Sequence, residues 1–216
     1  MIQSTVVYYT SNTENEQFEK KIRDEIWKNK GELSLISVSR KPIDFGTNIC
    51  VGEIPYCDMS AFKQLLIGLK EVKTEFAHAA ESDVLYPPEY FSFIPPTNDN
   101  VYRYKNVWVF WGWVGNFHKN LFWKKQYTEG AQCCGTAFWI KSLEKLLKLL
   151  ETNKIRAEAF HTFDLFNWVA QNPVITIKTG HSLRNRTSTY NISTDTLPYW
   201  GTATDLRNRL WGNNEI

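Results

Sequence analysis

The sequence has no long hydrophobic run, little net charge and few cysteines, and each absence excludes a class of protein. None of its apolar segments approaches the roughly 18 residues that a membrane-spanning helix needs. Its 25 lysines and arginines against 23 aspartates and glutamates give a net charge of +2, which is too small to attract polyanions without specificity. Its 4 cysteines lack the C-x-x-C spacing of common zinc sites and form no disulfide framework.

The first residues also lack the features of a secretory signal. Residues 1–4 lead directly into an apolar strand, with no basic region and no small-residue cleavage site. We therefore expect a cytoplasmic protein whose cysteines are reduced thiols. The chain has 216 residues, of which 43% are hydrophobic and 15% aromatic, so it can bury one sizeable core. We expect a single domain over residues 1–216.

The first 38 residues have the pattern of a strand, a helix and a second strand. Residues 5–9 are β-branched or aromatic, and residues 33–38 form a second apolar run. Between them, Thr13 and Glu16 have the spacing of a helix capping box, and apolar residues recur every fourth position as Phe18, Ile22 and Ile26. Two short strands joined by such a helix predict a parallel sheet with a right-handed crossover.

The rest of the chain predicts further helices and strands. After a turn-rich passage over residues 44–59, an amphipathic helix over residues 62–72 leads to a strand that lies just before Glu81. Later strands are predicted over residues 101–111, 137–140 and 174–178, helices from Ser142 and over residues 164–170, and an aromatic and basic loop over residues 112–127.

Polar residues follow three of the predicted strands. Thr10, Ser11 and Asn12 come after the first strand, Arg40 after the second, and the segment Glu81-Ser82-Asp83 after the third. Ligands bind at the carboxyl ends of strands in such sheets, and Mg²⁺ or Mn²⁺ prefers one or two carboxylates together with phosphate oxygens. The pattern predicts a site for a metal-bound diphosphate, with a simple acidic turn as the alternative.

In this order and context, the residues resemble the GT-A class of nucleotide-sugar glycosyltransferases. The segment Ala80-Glu81-Ser82-Asp83-Val84-Leu85-Tyr86-Pro87 looks like the Asp-x-Asp motif of small bacterial and phage-encoded members, with Glu81 in place of the first Asp. The resemblance implies a Rossmann-like α/β/α sandwich with a mostly parallel sheet. It also implies a donor-binding part over about residues 1–90 and an acceptor side with a closing segment over about residues 100–216.

The resemblance also implies roles for particular residues. Asp83 and His181 would hold the divalent metal, and Glu81 and Ser82 would contact the donor. His181 is followed by Arg184, which would neutralise the departing diphosphate. A structural histidine and a solvated basic loop are the alternatives for these two residues.

Three further residues would act on the sugar or the acceptor. Gln132 lies in a segment of small residues that would pass beneath the donor sugar, or would form a tight turn. Asp164 or Glu158 would take the proton from the acceptor hydroxyl. Asp164 has a rival role as the N-cap of the helix predicted after it.

The function implied is metal-dependent transfer of a sugar from a UDP-sugar to an acceptor hydroxyl. A saccharide and a hydroxymethylated DNA base are equally acceptable as acceptors. Two alternatives stay open: a nucleotidyltransferase acting on a sugar phosphate, and a noncatalytic carbohydrate or nucleic-acid binding module that uses the aromatic residues. The nucleotidyltransferase is less favoured, because no Gly-rich, Arg-containing loop follows the first strand.

Overall fold

The computed structural model describes residues 3–55, 57–112, 120–152, 165–180 and 189–212. Over these ranges the strands are β1 (Ser4–Thr10), β2 (Ser34–Ser39), β3 (Thr47–Cys50), β4 (Phe76–Glu81), β5 (Val84–Leu85), β6 (Val101–Tyr104), β7 (Val107–Trp111), β8 (Phe122–Lys125), β9 (Gln132–Gly135), β10 (Leu165–Trp168), β11 (Val174–Lys178), β12 (Thr189–Thr194), β13 (Thr196–Leu197) and β14 (Gly201–Thr202). The helices are α1 (Glu16–Asn29), α2 (Asp58–Glu71), α3 (Pro88–Ser92), α4 (Thr136–Glu151) and α5 (Ala203–Trp211).

The main sheet has seven strands in the order β10-β6-β9-β4-β1-β2-β3. β1 pairs in parallel with β2 and β4, and β2 with β3. β9 is antiparallel to both of its neighbours, β4 and β6, and β10 is parallel to β6. All strands of this sheet except β9 therefore run in one direction, so the predicted α/β class with a mostly parallel sheet is confirmed.

The main sheet lies between two separate hydrophobic layers. On one face, α1 contributes the stripe of Phe18, Ile22 and Ile26, which packs with α5 and with the strands of a second sheet. On the other face, α2 and α4 pack through leucines such as Leu65 and Leu146. Burial of apolar side chains on both faces explains why the strands of this sheet are almost continuously apolar. None of the helices in the described ranges is long and apolar enough to cross a membrane.

The second sheet has five strands in the order β12-β8-β7-β11-β5. Its edge strand β5 follows β4 after a two-residue turn, so the chain passes from one sheet to the other within a few residues. The backbone N–H of Ile177 in β11 donates to the carbonyl oxygen of Asp83 at 2.7 Å. The turn Ser82-Asp83 is thereby fixed to both sheets.

Two predicted elements have the wrong type. Residues 137–140 belong to α4, which begins at Thr136 and not at Ser142. Residues 165–168, predicted as helix, form β10 and pair in parallel with β6 at the edge of the main sheet. Both segments are short apolar or aromatic runs, for which periodicity does not separate a buried helix from a strand. Tertiary pairing decides their conformation.

Several boundaries also differ from prediction. The segment 101–111 breaks at Lys105-Asn106, because β6 belongs to the main sheet and β7 to the second. The predicted loop over residues 112–127 contains β8, and the turn-rich passage over residues 44–59 contains β3. Helix α1 is capped by Asn15, whose side chain accepts from the N–H groups of the next turn, so the predicted capping box at Thr13 is wrong.

Candidate functional site

The carboxyl ends of β1, β2 and β4 lie side by side at one edge of the main sheet. In the strand register, Tyr9 pairs with Glu81 and Thr10 pairs with Ser39. The polar segments that follow these strands are therefore brought together, as the sequence predicts. This is the edge at which parallel sheets bind their ligands.

Asn12 joins the loops that follow β1 and β2. Its side-chain oxygen accepts hydrogen bonds from the backbone N–H groups of Arg40, at 2.8 Å, and Lys41, at 2.9 Å. Its φ of 51° lies in the left-handed region, which asparagine tolerates better than most residues. The amide oxygen of Asn12 thus holds two loops in place and is not free for a ligand.

The other polar residues at this edge also have partners within the protein. The Thr10 hydroxyl donates to the Glu19 carboxylate at 3.1 Å. The Ser11 hydroxyl lies 2.8 Å from that of a neighbouring threonine, and the Arg40 guanidinium is paired with Glu53. The polar groups of these side chains are therefore already engaged within the protein. A nucleotide that used them as partners would have to compete with these existing interactions.

Glu19 gives the end of β1 a pH-dependent stability. Its side chain is 1% exposed, and burial raises its pKa to about 7 despite the nearby Arg23. A raised pKa in the fold means that the stabilising effect is complete below the ordinary value of about 4.5 and is lost as pH rises through about 7. The shift is equivalent to about 3 kcal/mol at high pH.

We expect Glu19→Gln to remove this pH dependence. Between about pH 5 and about pH 8, the free energy of unfolding of the wild type should fall by about 2.5 kcal/mol more than that of the variant. Urea unfolding at several pH values measures both slopes, and other titrating groups contribute equally to the two proteins. Equal slopes would show that Glu19 has its ordinary pKa in the fold.

Glu81 is held at the end of β4 by two tyrosines. Its carboxylate accepts a hydrogen bond from the Tyr9 hydroxyl at 2.8 Å, and its backbone N–H donates to the Tyr86 hydroxyl at 2.9 Å. Burial, followed by the negative charge of Asp83, raises the pKa of Glu81 to about 7. A cation placed beside this pair of carboxylates would favour their ionised forms.

Asp83 lies on the turn between the two sheets. Its carboxylate is 4.0 Å from the ammonium group of Lys178, and the exposed fractions of the two side chains are 20% and 9%. Ser82, in the same turn, is half-buried. The carboxylate of Asp83 is thus accessible to a ligand, whereas its backbone is fixed by Ile177.

Two lysines of the second sheet, which sequence reasoning does not identify as site residues, act on the acidic pair through their positive charges. Lys178 ends β11, and Lys125 ends β8. Burial and the charge of Lys178 lower the pKa of Lys125 to about 8, and the carboxylates of Asp83 and Glu81 act on it in the opposite direction. In the sequence both are ordinary lysines at strand ends, so only the fold makes their charges act on the acidic pair.

Glu129 and Gln132 are hydrogen-bonded polar residues on the main-sheet side of the candidate site. Arg103 donates two hydrogen bonds to the Glu129 carboxylate, at 2.8 and 3.0 Å, and the Gln132 side chain also donates to it. The adjacent Gly130 packs against Glu81, since a Cβ atom at this position would lie 2.5 Å from the Glu81 carboxyl carbon. Gln132 is therefore part of β9, with its side chain engaged by Glu129.

The acidic pair offers the oxygen ligands that a hard divalent cation prefers, but two carboxylates alone do not complete its coordination. Asp83 offers an accessible carboxylate, and Glu81 lies two residues away at the end of β4. Over the described residues, no group of three or more histidine, cysteine, aspartate and glutamate side chains forms a metal site. A Mg²⁺ or Mn²⁺ ion held here would take its remaining ligands from phosphate oxygens and water.

Four of the predicted site residues lie outside the described residues. They are Glu158 and Asp164, the two candidate bases, and His181 and Arg184, the predicted metal ligand and the cation for the leaving group.

No protein-family model matches the sequence, and the curated proteins contain no significant match. Solved structures similar to this chain include a glycosyltransferase involved in the glycosylation of the major capsid of PBCV-1, which matches over 77% of this chain and 81% of its own at 10% identity with a TM-score of 0.46. S. aureus TarS 1-349 in complex with UDP-GlcNAc matches over 82% and 58% at 14% identity with a TM-score of 0.49. The glycosyltransferase GlyE of Streptococcus pneumoniae TIGR4 matches over 76% and 45% at 9% identity with a TM-score of 0.49.

The first and third of these structures are described as glycosyltransferases, the class that the sequence resembles. The chain spans 58% of the TarS fragment and 45% of GlyE. Similarity of this size establishes no activity for the chain, and its reaction, substrates and partners are therefore proposals.

Proposed function

We propose that the protein is a metal-dependent glycosyltransferase that moves a sugar from a UDP-sugar to an acceptor hydroxyl. The observation that carries this proposal is the position of Glu81 and Asp83. The pair lies at the carboxyl edge of a parallel sheet, on the turn into a second sheet, and the ammonium group of Lys178 is 4.0 Å from the carboxylate of Asp83. Carboxylates and cations in one partly open site suit a metal-bound diphosphate.

In this proposal Asp83 is the principal metal ligand and Glu81 the weaker one. Glu81 is already bonded to Tyr9, whereas the only ion-pair partner of Asp83 among the described residues is Lys178 at 4.0 Å. Bound Mn²⁺ or Mg²⁺ would neutralise the diphosphate as it leaves. We also propose His181 as a metal ligand and Arg184 as a cation beside the diphosphate.

The other residues are assigned to the acceptor, the donor and the uridine of the same reaction. Asp164 or Glu158 is proposed as the base that takes the acceptor proton. Gln132 and Ser82 are proposed contacts of the donor. For the uridine we propose the edge formed by Thr10, Ser11, Asn12 and Arg40, where backbone groups are better placed than side chains because the side chains have protein partners. Saccharides and hydroxymethylated DNA bases are the acceptors to test.

A nucleotide-release assay separates this function from its alternatives. With Mn²⁺, the protein should release UDP from a UDP-sugar such as UDP-GlcNAc, faster when an acceptor is present, and EDTA should abolish the release. Nucleotidyl transfer would instead release pyrophosphate from a nucleoside triphosphate and a sugar phosphate. A binding module would release neither product, and either of these two results would reject the glycosyltransferase.

Nucleotide preference gives an independent measurement. Calorimetric titration with UDP and GDP in the presence of Mn²⁺ should show tighter binding of UDP. An acceptor panel that includes saccharides and hydroxymethylpyrimidine DNA then identifies the acceptor class. Tighter binding of GDP would reject the uridine assignment while leaving the transferase reaction in place.

A further inference from the structure

Arg207 of α5 is 2% exposed, and its guanidinium group binds neutral oxygens at the ends of two strands. Its nitrogens donate to the carbonyl oxygen of Trp111 at 2.9 Å, to that of Gly112 at 3.0 Å and to the side-chain oxygen of Asn120 at 3.1 Å. Trp111 is the last residue of β7, and Asn120 lies two residues before β8. One buried side chain of α5 therefore joins the end of β7 to the start of β8.

The same side of α5 contacts Gly112 a second time. Trp211 follows Arg207 by four residues and so lies on the same side of the helix. A Cβ atom at Gly112 would overlap the indole ring of Trp211, so the backbone that follows β7 lies directly against this ring. The indole also stacks on Phe18 of α1, with the ring centroids 5.4 Å apart. The end of β7 is thus held by a helix that is itself packed against the core.

The end of β7 in turn holds the end of β11. Gly112 accepts from Arg207, and its own N–H donates to the carbonyl oxygen of Lys178 at 2.8 Å. The last residues of the two strands are also paired in the register. β11 then contacts Asp83 twice: the N–H of Ile177 donates to its carbonyl oxygen at 2.7 Å, and the ammonium group of Lys178 is 4.0 Å from its carboxylate. A continuous series of direct contacts therefore leads from Arg207 to Asp83.

We propose that Arg207 is a positioning residue, which sets the place of the Asp83 carboxylate through the ends of β7 and β11. A misplacement of about 1 Å in a reacting group can cost about a hundredfold in rate, so a residue that contacts no substrate can still control the reaction. The metal-binding role of Asp83 rests on the proposed function. The contacts that lead from Arg207 to Asp83 do not depend on it.

Hydrogen–deuterium exchange tests these contacts without any substrate. Arg207→Met keeps an apolar stem of similar length but removes the donors. Exchange of the backbone N–H groups over residues 107–112 and 174–178 should become about tenfold faster or more in this variant, whereas exchange in β2 and α2 should not change. Unchanged exchange in the two strands would overturn the proposal. Equally faster exchange in every segment would show a loss of overall stability alone, and would overturn it too.

The Mn²⁺ dependence of sugar transfer tests the effect on Asp83. A displaced carboxylate should raise the Mn²⁺ concentration for half-maximal transfer by about tenfold in Arg207→Met, as is common when a residue that orients a metal ligand is lost. UDP binding in EDTA should stay within about twofold of the wild type, because no metal takes part in it. A residue that only stabilises the fold would leave the Mn²⁺ dependence unchanged at temperatures where the variant is folded.

Arg207→Lys is the milder variant. It keeps the positive charge but offers one donor nitrogen in place of a rigid fork of three, so its Mn²⁺ dependence should lie between those of Arg207→Met and the wild type. If Arg207→Met does not fold, the same exchange and Mn²⁺ measurements on Arg207→Lys decide the proposal.

Arg209→Met is the matched control. Arg209 lies on the same helix with a side chain that is 43% exposed, and its guanidinium group is 3.7 Å from the Glu25 carboxylate. Exposed pairs of this kind contribute little, so its loss should leave exchange and Mn²⁺ dependence within about twofold of the wild type. Equal effects of Arg207→Met and Arg209→Met would overturn the proposal.

The two proposals fail separately. If Arg207→Met loosens the two strand ends but no UDP-sugar is consumed by the wild type, the contacts of Arg207 stand and the glycosyltransferase is rejected. If sugar transfer is observed with the same Mn²⁺ dependence in Arg207→Met as in the wild type, the enzyme stands and the positioning role is rejected.

Discussion

Asp83→Asn is expected to reduce sugar transfer by at least about a hundredfold while leaving the protein folded. The substitution keeps the size of the side chain but removes the charge that would bind a metal ion. The structural contact of Asp83 is made by its backbone carbonyl oxygen, which accepts from Ile177, and this contact does not depend on the side chain. Transfer rates at saturating Mn²⁺, with a thermal melt of the same sample, measure the two effects separately.

Asp24→Asn is the control for this substitution. Asp24 forms an exposed salt bridge with Lys20 on α1, and pairs of this kind contribute little to stability. Its loss should change neither transfer nor melting temperature. Wild-type transfer by Asp83→Asn would reject Asp83 as the metal ligand.

Gly135→Ala is expected to have the largest effect on stability. A Cβ atom at Gly135 would lie 2.6 Å from the backbone carbonyl carbon of Asn98 and 2.7 Å from its Cα. Both are backbone atoms, so no side chain can rotate away. Gly135 also pairs with Phe76 in the main sheet and precedes the first residue of α4, so it cannot easily shift. We expect a loss of about 3 kcal/mol or more, which corresponds to a decrease of about 10 °C in melting temperature.

Gly31→Ala separates this clash from the ordinary cost of losing a glycine. Gly31 has a φ of +57°, and a Cβ atom there would meet no atom within 4 Å. Its substitution should cost only about 1 kcal/mol, through backbone conformation alone. Chemical denaturation of both variants gives the comparison, and similar losses would mean that the chain around Asn98 adjusts to a side chain at position 135.

The first part of the fold is predictable because local pattern and tertiary packing agree there. The stripe of Phe18, Ile22 and Ile26 predicts α1, and the β-branched residues around it predict β1 and β2. In these elements, the side chains that are buried in the structure are the apolar ones whose spacing in the sequence predicts the element. The same agreement predicts that Thr10 and Glu81 lie at one edge of the sheet, and the strand register confirms it.

The later part of the chain is less predictable because two sheets share it. The run over residues 101–111 has strand character throughout, and nothing in its composition shows that the chain changes sheets at Lys105-Asn106. β10 has the apolar pattern of a helix segment but forms hydrogen bonds with β6. Long-range pairing determines such segments, and single-sequence periodicity does not report it.

The candidate site was predictable only on its acidic side. Glu81 and Asp83 are two residues apart and follow a strand, so their spacing itself is a signal. Lys125 and Lys178 are far apart in the sequence and end two strands that are separated by a third. Only the fold makes their charges act on the acidic pair. The partners of Asn12 and Thr10 are likewise formed by contacts between different elements.

The turn between β4 and β5 connects the two sheets, and the acidic pair lies at this connection. Glu81 belongs to the main sheet, and the backbone of Asp83 is bonded to the second. The spacing of the two carboxylates is therefore set by how the sheets pack, through residues such as Tyr86, whose hydroxyl accepts from Glu81 and donates to the Gly130 carbonyl oxygen at 2.7 Å. A substitution in this buried core that shifts one sheet against the other would therefore change the distance between the two carboxylates, even at a position that contacts neither of them.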